Sequence, residues 1–239
     1  MRVIAGQYKG RVLKTGQGPG YRPATGRVRE AVFSMLEARG VRWPGCRTLD
    51  LFAGSGSLAV ETLSRGAAFI CLVEKSSRLA ALIRENLRDL GAPPAAWRVE
   101  ARDVEAFLRV PPAAPFDVVF IDPPYGHALL APALRALLAK NWLAPAGFVL
   151  AEVEDKAALP DETALPGLEL VVNKLYGQTR ILLWQARASD VPPAASNSPG
   201  ASEASGSPEA SVSSVPEAAV SDVPAAGRSP DFPSHQDEQ

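Results

Sequence analysis

The segment that decides the fold is residues 50–58, which have the sequence DLFAGSGSL. The apolar stretch 47–52 leads into it, and a helical pattern to about Arg65 follows it. Gly54 and Gly56 have no Cβ, so the backbone between the two elements can approach a ligand closely. The free N–H groups at the start of the helix attract an anionic group. A strand, a glycine-rich turn and a helix in this order are typical of the first unit of a nucleotide-binding α/β sheet.

Alternating strand and helix patterns continue along the chain to about residue 185. The stretches 67–73 and 116–121 are almost entirely apolar, which indicates strands that are buried on both faces. Residues 76–90 have apolar side chains at helical spacing. The other predicted elements are a strand at 97–101, helices at 103–110 and 127–140, a strand at 147–152 and an antiparallel pair at 168–174 and 178–184. We therefore predict an α/β fold with a Rossmann-like, doubly wound and mostly parallel sheet.

The first 45 residues form a basic extension in front of the predicted sheet. Residues 2–5 and 9–13 predict a short β-hairpin, and residues 26–39 have the apolar spacing of a helix. Residues 1–45 contain nine Lys and Arg against two Glu, which gives a net charge of +7. This uneven distribution of charge predicts a polyanionic partner. The candidate phosphate contacts are Arg2, Lys9, Arg11, Arg22, Arg27 and Arg29.

Residues 186–239 differ sharply in composition from the rest of the chain. These 54 residues lack Leu, Ile, Tyr and Trp, but they contain 12 Ser and 8 Pro. Two basic and eight acidic residues give them a net charge of −6. Such a segment cannot bury enough apolar surface to offset chain entropy, so we predict a disordered acidic tail. The predicted organisation is a basic extension at 1–45, an α/β domain at 46–185 and this tail.

The composition also excludes several classes of protein. There is no run of eighteen apolar residues, so we expect no membrane-spanning helix. The first residues lack the apolar core of a signal peptide and are followed at once by basic residues, which predicts a cytoplasmic protein. Two isolated Cys residues cannot form a disulfide framework or a four-ligand zinc site, so we expect a reduced protein without a metal.

Two cofactors compete for the glycine-rich turn. Residues 54–59 meet a relaxed Gly-x-Gly-x-x-Ala pattern, which is compatible with NAD(P). S-adenosylmethionine also has a ribose, with an ammonium and a sulfonium that suit the carboxylate of Asp50; this side chain can alternatively cap the turn. Glu74 follows the second strand, where a carboxylate can accept both ribose hydroxyls. Asp103 follows the third strand and can accept the adenine amino group or cap the next helix.

The Asp-Pro-Pro-Tyr sequence at residues 122–125 follows the fourth strand and indicates the chemistry. An exocyclic amine of a nucleobase is a poor nucleophile because its lone pair is delocalised into the ring. Asp122 and the carbonyl of Pro123 can each accept one amine hydrogen and direct the lone pair at a methyl group. Pro123 and Pro124 lack N–H groups and hold the backbone stiffly. Tyr125 offers a flat face for stacking a flipped base.

This motif after a Gly-x-Gly strand resembles that of amino-methyltransferases that act on nucleic acid. Residues 2–11, 22–30 and 176–178 are similar to the bacterial RsmD family, the 16S ribosomal RNA guanine-N2 methyltransferases. The resemblance spans about residues 1–185 and implies a class I methyltransferase domain at 46–185, with seven strands of which the last is antiparallel. It implies S-adenosylmethionine as the donor, with S-adenosylhomocysteine as the product. The implied partner is 16S rRNA in the small ribosomal subunit, bound by a monomer.

The resemblance also implies roles for individual residues. The expected cofactor contacts are Asp50, Phe52, Gly54, Gly56, Glu74, Asp103 and Thr25. The expected contacts with the target base are Asp122, Pro123, Pro124 and Tyr125. Where the family has Thr and an acidic residue before its first helix, this chain has Ala24 and Gly26, so Thr25 is the nearby hydroxyl.

The sequence leaves other functions open. An adenine-N6 methyltransferase of DNA or RNA, or another exocyclic-amine methyltransferase, would have the same Asp-Pro-Pro-Tyr motif, and only the N-terminal resemblance favours guanine. A non-catalytic RNA-binding module would keep the sheet without binding S-adenosylmethionine. An NAD-dependent oxidoreductase is the most distant alternative.

Overall fold

The computed structural model of the protein describes residues 1–16, 26–124 and 126–187. The α-helices in these ranges are α1 (Gly26–Ala38), α2 (Ser57–Ser64), α3 (Ser77–Asp89), α4 (Val104–Leu108) and α5 (Leu130–Ala139). The strands are β1 (Arg47–Leu51), β2 (Phe69–Val73), β3 (Trp97–Glu100), β4 (Phe116–Ile121), β5 (Leu143–Glu154), β6 (Leu168–Tyr176) and β7 (Thr179–Ala186).

The strands form one seven-stranded sheet with the order β3-β2-β1-β4-β5-β7-β6. All neighbouring pairs from β3 to β5 are parallel, and β7 is antiparallel to both β5 and β6. The strand order reverses between β1 and β4, and open α/β sheets bind their ligands at the carboxyl ends of the strands beside such a reversal. The predicted Rossmann-like fold with an antiparallel last strand is confirmed.

Helices cover both faces of the sheet. On one face, side chains of α1, α2 and α3 pack with alternate residues of the central strands, among them Phe120 and Leu150. On the other face, α4 and α5 pack against the remaining side chains of the same strands. Successive residues of a strand point to opposite faces, so Asp122 and Glu152 follow Phe120 and Leu150 on the α1 side.

Two element boundaries differ from the prediction by more than two residues. Helix α5 begins at Leu130 and not at residue 127, because Gly126 and Ala128 have φ values of 79° and 47°, which no helix accommodates. Strand β5 starts at Leu143, four residues earlier than predicted, because this residue already pairs with Phe116 of β4 ahead of a register shift.

The predicted N-terminal hairpin is reduced to a single antiparallel bridge between Arg2 and Val12. Gly6 and Gly10 have φ values of 79° and 82°, and they turn the chain sharply between the two bridged residues. This turn prevents a longer ladder from forming.

The N-terminal segment is fixed to α2 by a buried acid and a hydroxyl. Glu61 is fully buried, and its carboxylate accepts the N–H groups of Ile4 and Ala5 at 2.7 and 2.9 Å. The hydroxyl of Ser64 accepts the N–H of Tyr8 at 2.9 Å. These bonds place the basic N-terminal residues beside the helix that follows the glycine-rich turn.

Helix α1 packs on the sheet through a contact between buried aromatic side chains. The ring of Phe33 lies 5.3 Å from that of Trp43 and 6.2 Å from that of Phe120, measured between centroids. Val32 and Leu36 are buried on the same helix. The helix therefore approaches the sheet from the face on which Asp122 and Glu152 lie.

Candidate active site

Three acidic side chains meet at the carboxyl ends of β1, β4 and β5. The β4–β5 register places Asp122 beside Glu152, one residue beyond the last pair of β4. The β1–β4 register places Asp50 on the neighbouring strand, two residues before the level of Asp122. All three residues lie on the α1 side of the sheet by strand alternation. The structure thus places Asp50, the predicted cofactor contact, and Asp122, the predicted contact with the base, at the same end of the sheet.

The glycine-rich turn has a left-handed backbone at both of its glycines. Gly54 and Gly56 have φ values of 55° and 72°. A Cβ at Gly56 would lie 2.8 Å from Cδ2 of Leu72, so a side chain there would force the turn away from β2. The N–H of Gly54 donates to Oε2 of Glu74 at 2.8 Å, and the N–H of Ser76 donates to Oε1 at 2.7 Å. Glu74 therefore holds the turn and still has unused lone pairs on both oxygens.

Asp50 lies beneath this turn and is 2% exposed. Its Oδ2 accepts the N–H of Ala59 at 3.3 Å, so the side chain also bonds into the first turns of α2. Burial raises the pKa of Asp50 to about 8, opposed by the bond from Ala59 and assisted by the charge of Glu74. A buried carboxylate of this kind gains a large stabilisation from a cationic ligand.

Phe52 and Asp103 flank the turn in different ways. Phe52 has a φ of 61° and packs partly buried against the core on the α4 side. Asp103 caps α4, because its Oδ1 accepts the N–H groups of Glu105 and Ala106 at 3.0 and 3.2 Å. Its Oδ2 lies 3.6 Å from Nζ of Lys75. The side chain is exposed, so Oδ2, which the helix cap does not use and which pairs with Lys75, can still face a ligand.

Asp122 follows β4 directly, and its N–H donates to the carbonyl of Leu51 at 3.4 Å. Burial raises the pKa of Asp122 well above its usual range, and the charges of Glu152 and Asp50 raise it further. The two prolines that follow differ in exposure, since Pro123 is buried and Pro124 is exposed. Tyr125 lies outside the described residues.

A cavity of about 370 Å³ opens next to this segment. Its wall includes Pro123, Pro124, Leu130, Val153, Lys156 and Leu159. The wall is mostly apolar, and its polar side chains are those of His127, Glu154 and Lys156. Leu130 and Val153 belong to the core on the α5 side of the sheet, and neither Asp122 nor Glu152 is among the described residues that line the cavity, so it is not the space that these two acids face.

Glu152 is a residue of this candidate site that was not predicted from the sequence. It is 7% exposed, and burial raises its pKa. The signal that was available is an acidic residue within the apolar stretch FVLAEV of residues 148–153. Charged residues are almost never buried without a partner or a function, but the position of Glu152 beside Asp122 depends on the register between two strands.

The predicted phosphate-binding residues fall into two groups. Arg2, Lys9, Arg11 and Arg27 are exposed and can reach a polyanion. Arg29 is only 4% exposed, and its Nη2 donates to the carbonyl of Arg2 at 3.0 Å. The prediction that Arg29 contacts RNA is therefore corrected, because α1 turns this side chain inward to support the N-terminal segment.

Other sequence predictions concern residues that the structure does not describe. Arg22 and Thr25 lie in the gap between residues 16 and 26, and the predicted tail lies outside the described residues from residue 188 onward. Its predicted start at residue 186 is corrected, because Ala186 is buried at the end of β7. In the described ranges, no helix is long and apolar enough to cross a membrane. Among the same residues, no three His, Cys, Asp or Glu side chains are grouped so that they could hold a metal ion.

Comparison with known proteins places this site in a family. A sequence profile described as conserved hypothetical protein 95 matches residues 1–185. Ribosomal RNA small subunit methyltransferase D of Escherichia coli strain K12 is 36% identical over 188 residues, which cover 79% of this chain and 91% of the relative. The chain belongs to the RsmD family.

Two further RsmD-type comparisons agree with this membership. Ribosomal RNA small subunit methyltransferase D of Haemophilus influenzae is 37% identical over 164 residues, which cover 68% of this chain and 83% of the relative. The solved structure of yhhF from Escherichia coli has 34% identity and a TM-score of 0.69, and it covers 79% of this chain and 98% of that one. RsmD membership makes the NAD-dependent alternative wrong, and the match ends just before the predicted acidic tail.

Proposed function

We propose that this RsmD-family chain transfers the methyl group of S-adenosylmethionine to the exocyclic N2 amine of a guanine in 16S ribosomal RNA. The observation that supports this function best is the position of Asp122. Asp122 follows β4, which pairs with β1, so it lies one strand away from Asp50 and from the Gly54–Gly56 turn that follows β1. A carboxylate that accepts an amine hydrogen thus stands next to a turn built for a nucleotide-like donor.

The residues around the turn fit S-adenosylmethionine. Asp50 offers a buried carboxylate to the cationic end of the donor, and Glu74 offers two oxygens, held by backbone bonds, to the ribose hydroxyls. Gly54 and Gly56 have no Cβ that would hold the donor away from the turn, and Phe52 and Asp103 flank the adenine side. When bound, the donor supplies a methyl group on a positively charged sulfur.

The Asp-Pro-Pro segment acts on the acceptor amine. Asp122 accepts one hydrogen of the amine, and the carbonyl of Pro123 accepts the other. These two bonds aim the nitrogen lone pair at the methyl carbon, whose bond to sulfur breaks as the carbon–nitrogen bond forms. The proton that the nitrogen then loses passes to Asp122 or to water. Positioning and electrostatic stabilisation are therefore the main contributions of this segment.

The exposed basic residues of the N-terminal segment bind the RNA. Arg2, Lys9, Arg11 and Arg27 are exposed, and phosphate contacts from such side chains give affinity that depends on salt and little on sequence. The shape of the small subunit and an accessible guanine then provide the selectivity. This substrate places the chain in the cytoplasm, where it acts as a monomer.

Nucleoside mass spectrometry of small-subunit RNA from a strain that lacks the gene tests this function. We expect one N2-methylguanosine to be lost, to return with the wild-type gene and to stay absent with Asp122→Ala. Asp117→Ala is the matched control, because Asp117 is an exposed aspartate at the other end of the same strand. An unchanged N2-methylguanosine content would overturn the function, and a loss of N6-methyladenosine would replace it with the adenine alternative.

A further inference from the structure

Glu152 lies beside Asp122 on the adjacent strand of the sheet. Ile121 and Ala151 are the last paired residues of β4 with β5, so Asp122 and Glu152 follow at the same level on adjacent parallel strands. Adjacent strands lie about 4.8 Å apart, and both residues are on the α1 side of the sheet. The effect of the Glu152 charge on Asp122 agrees with this proximity.

The Glu152 side chain is buried without a partner that would explain it. It is 7% exposed. Among the residues that the structure describes, none forms a hydrogen bond or an ion pair with its carboxylate. In contrast, the other buried glutamates, Glu61 and Glu74, each accept two backbone N–H groups. The carboxylate oxygens of Glu152 are not among the fully buried atoms without a partner, so a ligand can reach them, and its donors would offset the cost of the surrounding burial.

The donors of guanine match the two carboxylates. On the Watson–Crick edge of guanine, the N1–H lies directly beside the N2 amine, so the edge offers three hydrogens. Adenine has its N6 amine beside N1, which is an acceptor. At a pH above its raised pKa, Glu152 is ionised and would accept the N1–H of guanine, whereas its charge would oppose the N1 lone pair of adenine.

We propose that Glu152 accepts the N1–H of the target guanine and thereby selects guanine over purines that lack this hydrogen. This role rests on the proposed function, in which Asp122 and Pro123 hold the N2 amine. Together the three acceptors satisfy the three donors of the edge. Glu152 is then a specificity-determining residue that contacts the substrate.

The sharpest test uses 2-aminopurine, which keeps the N2 amine and replaces the N1–H by an acceptor. Small subunits are reconstituted with RNA that has guanine or 2-aminopurine at the methylated position, which is first located by mass spectrometry. The wild-type protein should prefer guanine in kcat/KM by about 100-fold, because 2-aminopurine leaves a buried carboxylate unpaired. In Glu152→Gln, the amide N–H can donate to N1 of 2-aminopurine and the amide oxygen can accept the N1–H of guanine. The preference for guanine should therefore fall below about 10-fold.

Two controls make the result decisive. Glu169→Gln changes an exposed glutamate of β6 and should leave the guanine preference at the wild-type value. Thermal unfolding and calorimetry with S-adenosylmethionine check that Glu152→Gln still folds and binds the donor. A wild-type preference that survives in folded Glu152→Gln overturns the role of Glu152. A wild-type protein that methylates neither substrate would contradict the proposed function itself, which is a different outcome.

Discussion

The backbone N–H of Gly54 donates a 2.8 Å hydrogen bond to Oε2 of Glu74. This bond joins the turn after β1 to the end of β2, so the two regions predicted to bind the cofactor form one rigid unit. The second oxygen of Glu74 accepts the N–H of Ser76 at 2.7 Å. The carboxylate that we propose as the ribose acceptor is thereby oriented by two backbone N–H groups.

Glu74→Ala should weaken the affinity for S-adenosylmethionine by about 10- to 100-fold, because it removes the ribose acceptor and releases the turn. Isothermal titration calorimetry measures this affinity. Glu105→Ala, which changes an exposed glutamate of α4, is the control and should bind as the wild type does. An unaltered affinity in Glu74→Ala would contradict the ribose assignment.

Asp50 should couple donor binding to proton release. Its pKa is about 8 in the free protein, so most molecules hold this carboxyl protonated at pH 7. A cationic ligand favours the ionised form, so binding should expel a proton and the affinity should rise as the pH increases from 6 to 8. Calorimetry in buffers of different ionisation enthalpy measures the released protons.

The matched variant for this prediction is Asp50→Asn, which keeps the shape of the side chain and removes its titration. We expect weaker binding and a smaller proton release at pH 7. Equal proton release by the wild type and Asp50→Asn would show that another group is responsible.

Glu61 should determine whether the N-terminal segment stays attached to the domain. Glu61→Ala leaves the N–H groups of Ile4 and Ala5 without their acceptor, and the cost of breaking such a buried charged network is about 3 kcal/mol. Urea unfolding measures the loss of stability, and limited proteolysis shows whether residues 1–16 become accessible. Glu30→Ala, on the exposed surface of α1, is the control. Wild-type protease resistance in Glu61→Ala would refute this attachment.

Arg27 and Arg29 should behave differently although they are two residues apart. Arg27 is exposed, so Arg27→Ala should weaken RNA binding and reduce the slope of log affinity against log salt concentration by about 1. Arg29 is buried and supports the carbonyl of Arg2, so Arg29→Ala should lower the melting temperature. Filter binding across salt concentrations and thermal unfolding measure the two effects. A salt slope that changes only in Arg29→Ala would reverse this assignment.

The sequence predicted most of what lies within a single element or turn. The glycine-rich turn and the order of strands and helices follow from local apolar spacing and glycine positions, whereas the antiparallel last strand was implied by the resemblance to the RsmD family. The predicted start of α5 was wrong, because the positive φ of Ala128 is not apparent from its residue type. The hairpin was also overestimated, since Glu61 binds two of the N–H groups in that segment.

The candidate site was harder to predict where it depends on packing between distant segments. Glu74 and Asp122 are recognisable because each follows a predicted strand, and Asp50 because it lies near the carboxyl end of one. Glu152 became apparent only from the register between β4 and β5. Arginine is usually a surface residue. Arg29 is buried because α1 is oriented about its axis so that this side chain faces inward.

The most direct test of the central claim is in vitro methylation of small subunits from the gene-deletion strain, with a labelled methyl group on S-adenosylmethionine. The wild-type protein should place the label on the N2 of one guanine, and Asp122→Ala should lose turnover while it keeps its affinity for the donor. Full turnover by Asp122→Ala, or label on another atom, would contradict a mechanism in which this carboxylate holds the acceptor amine beside the donor.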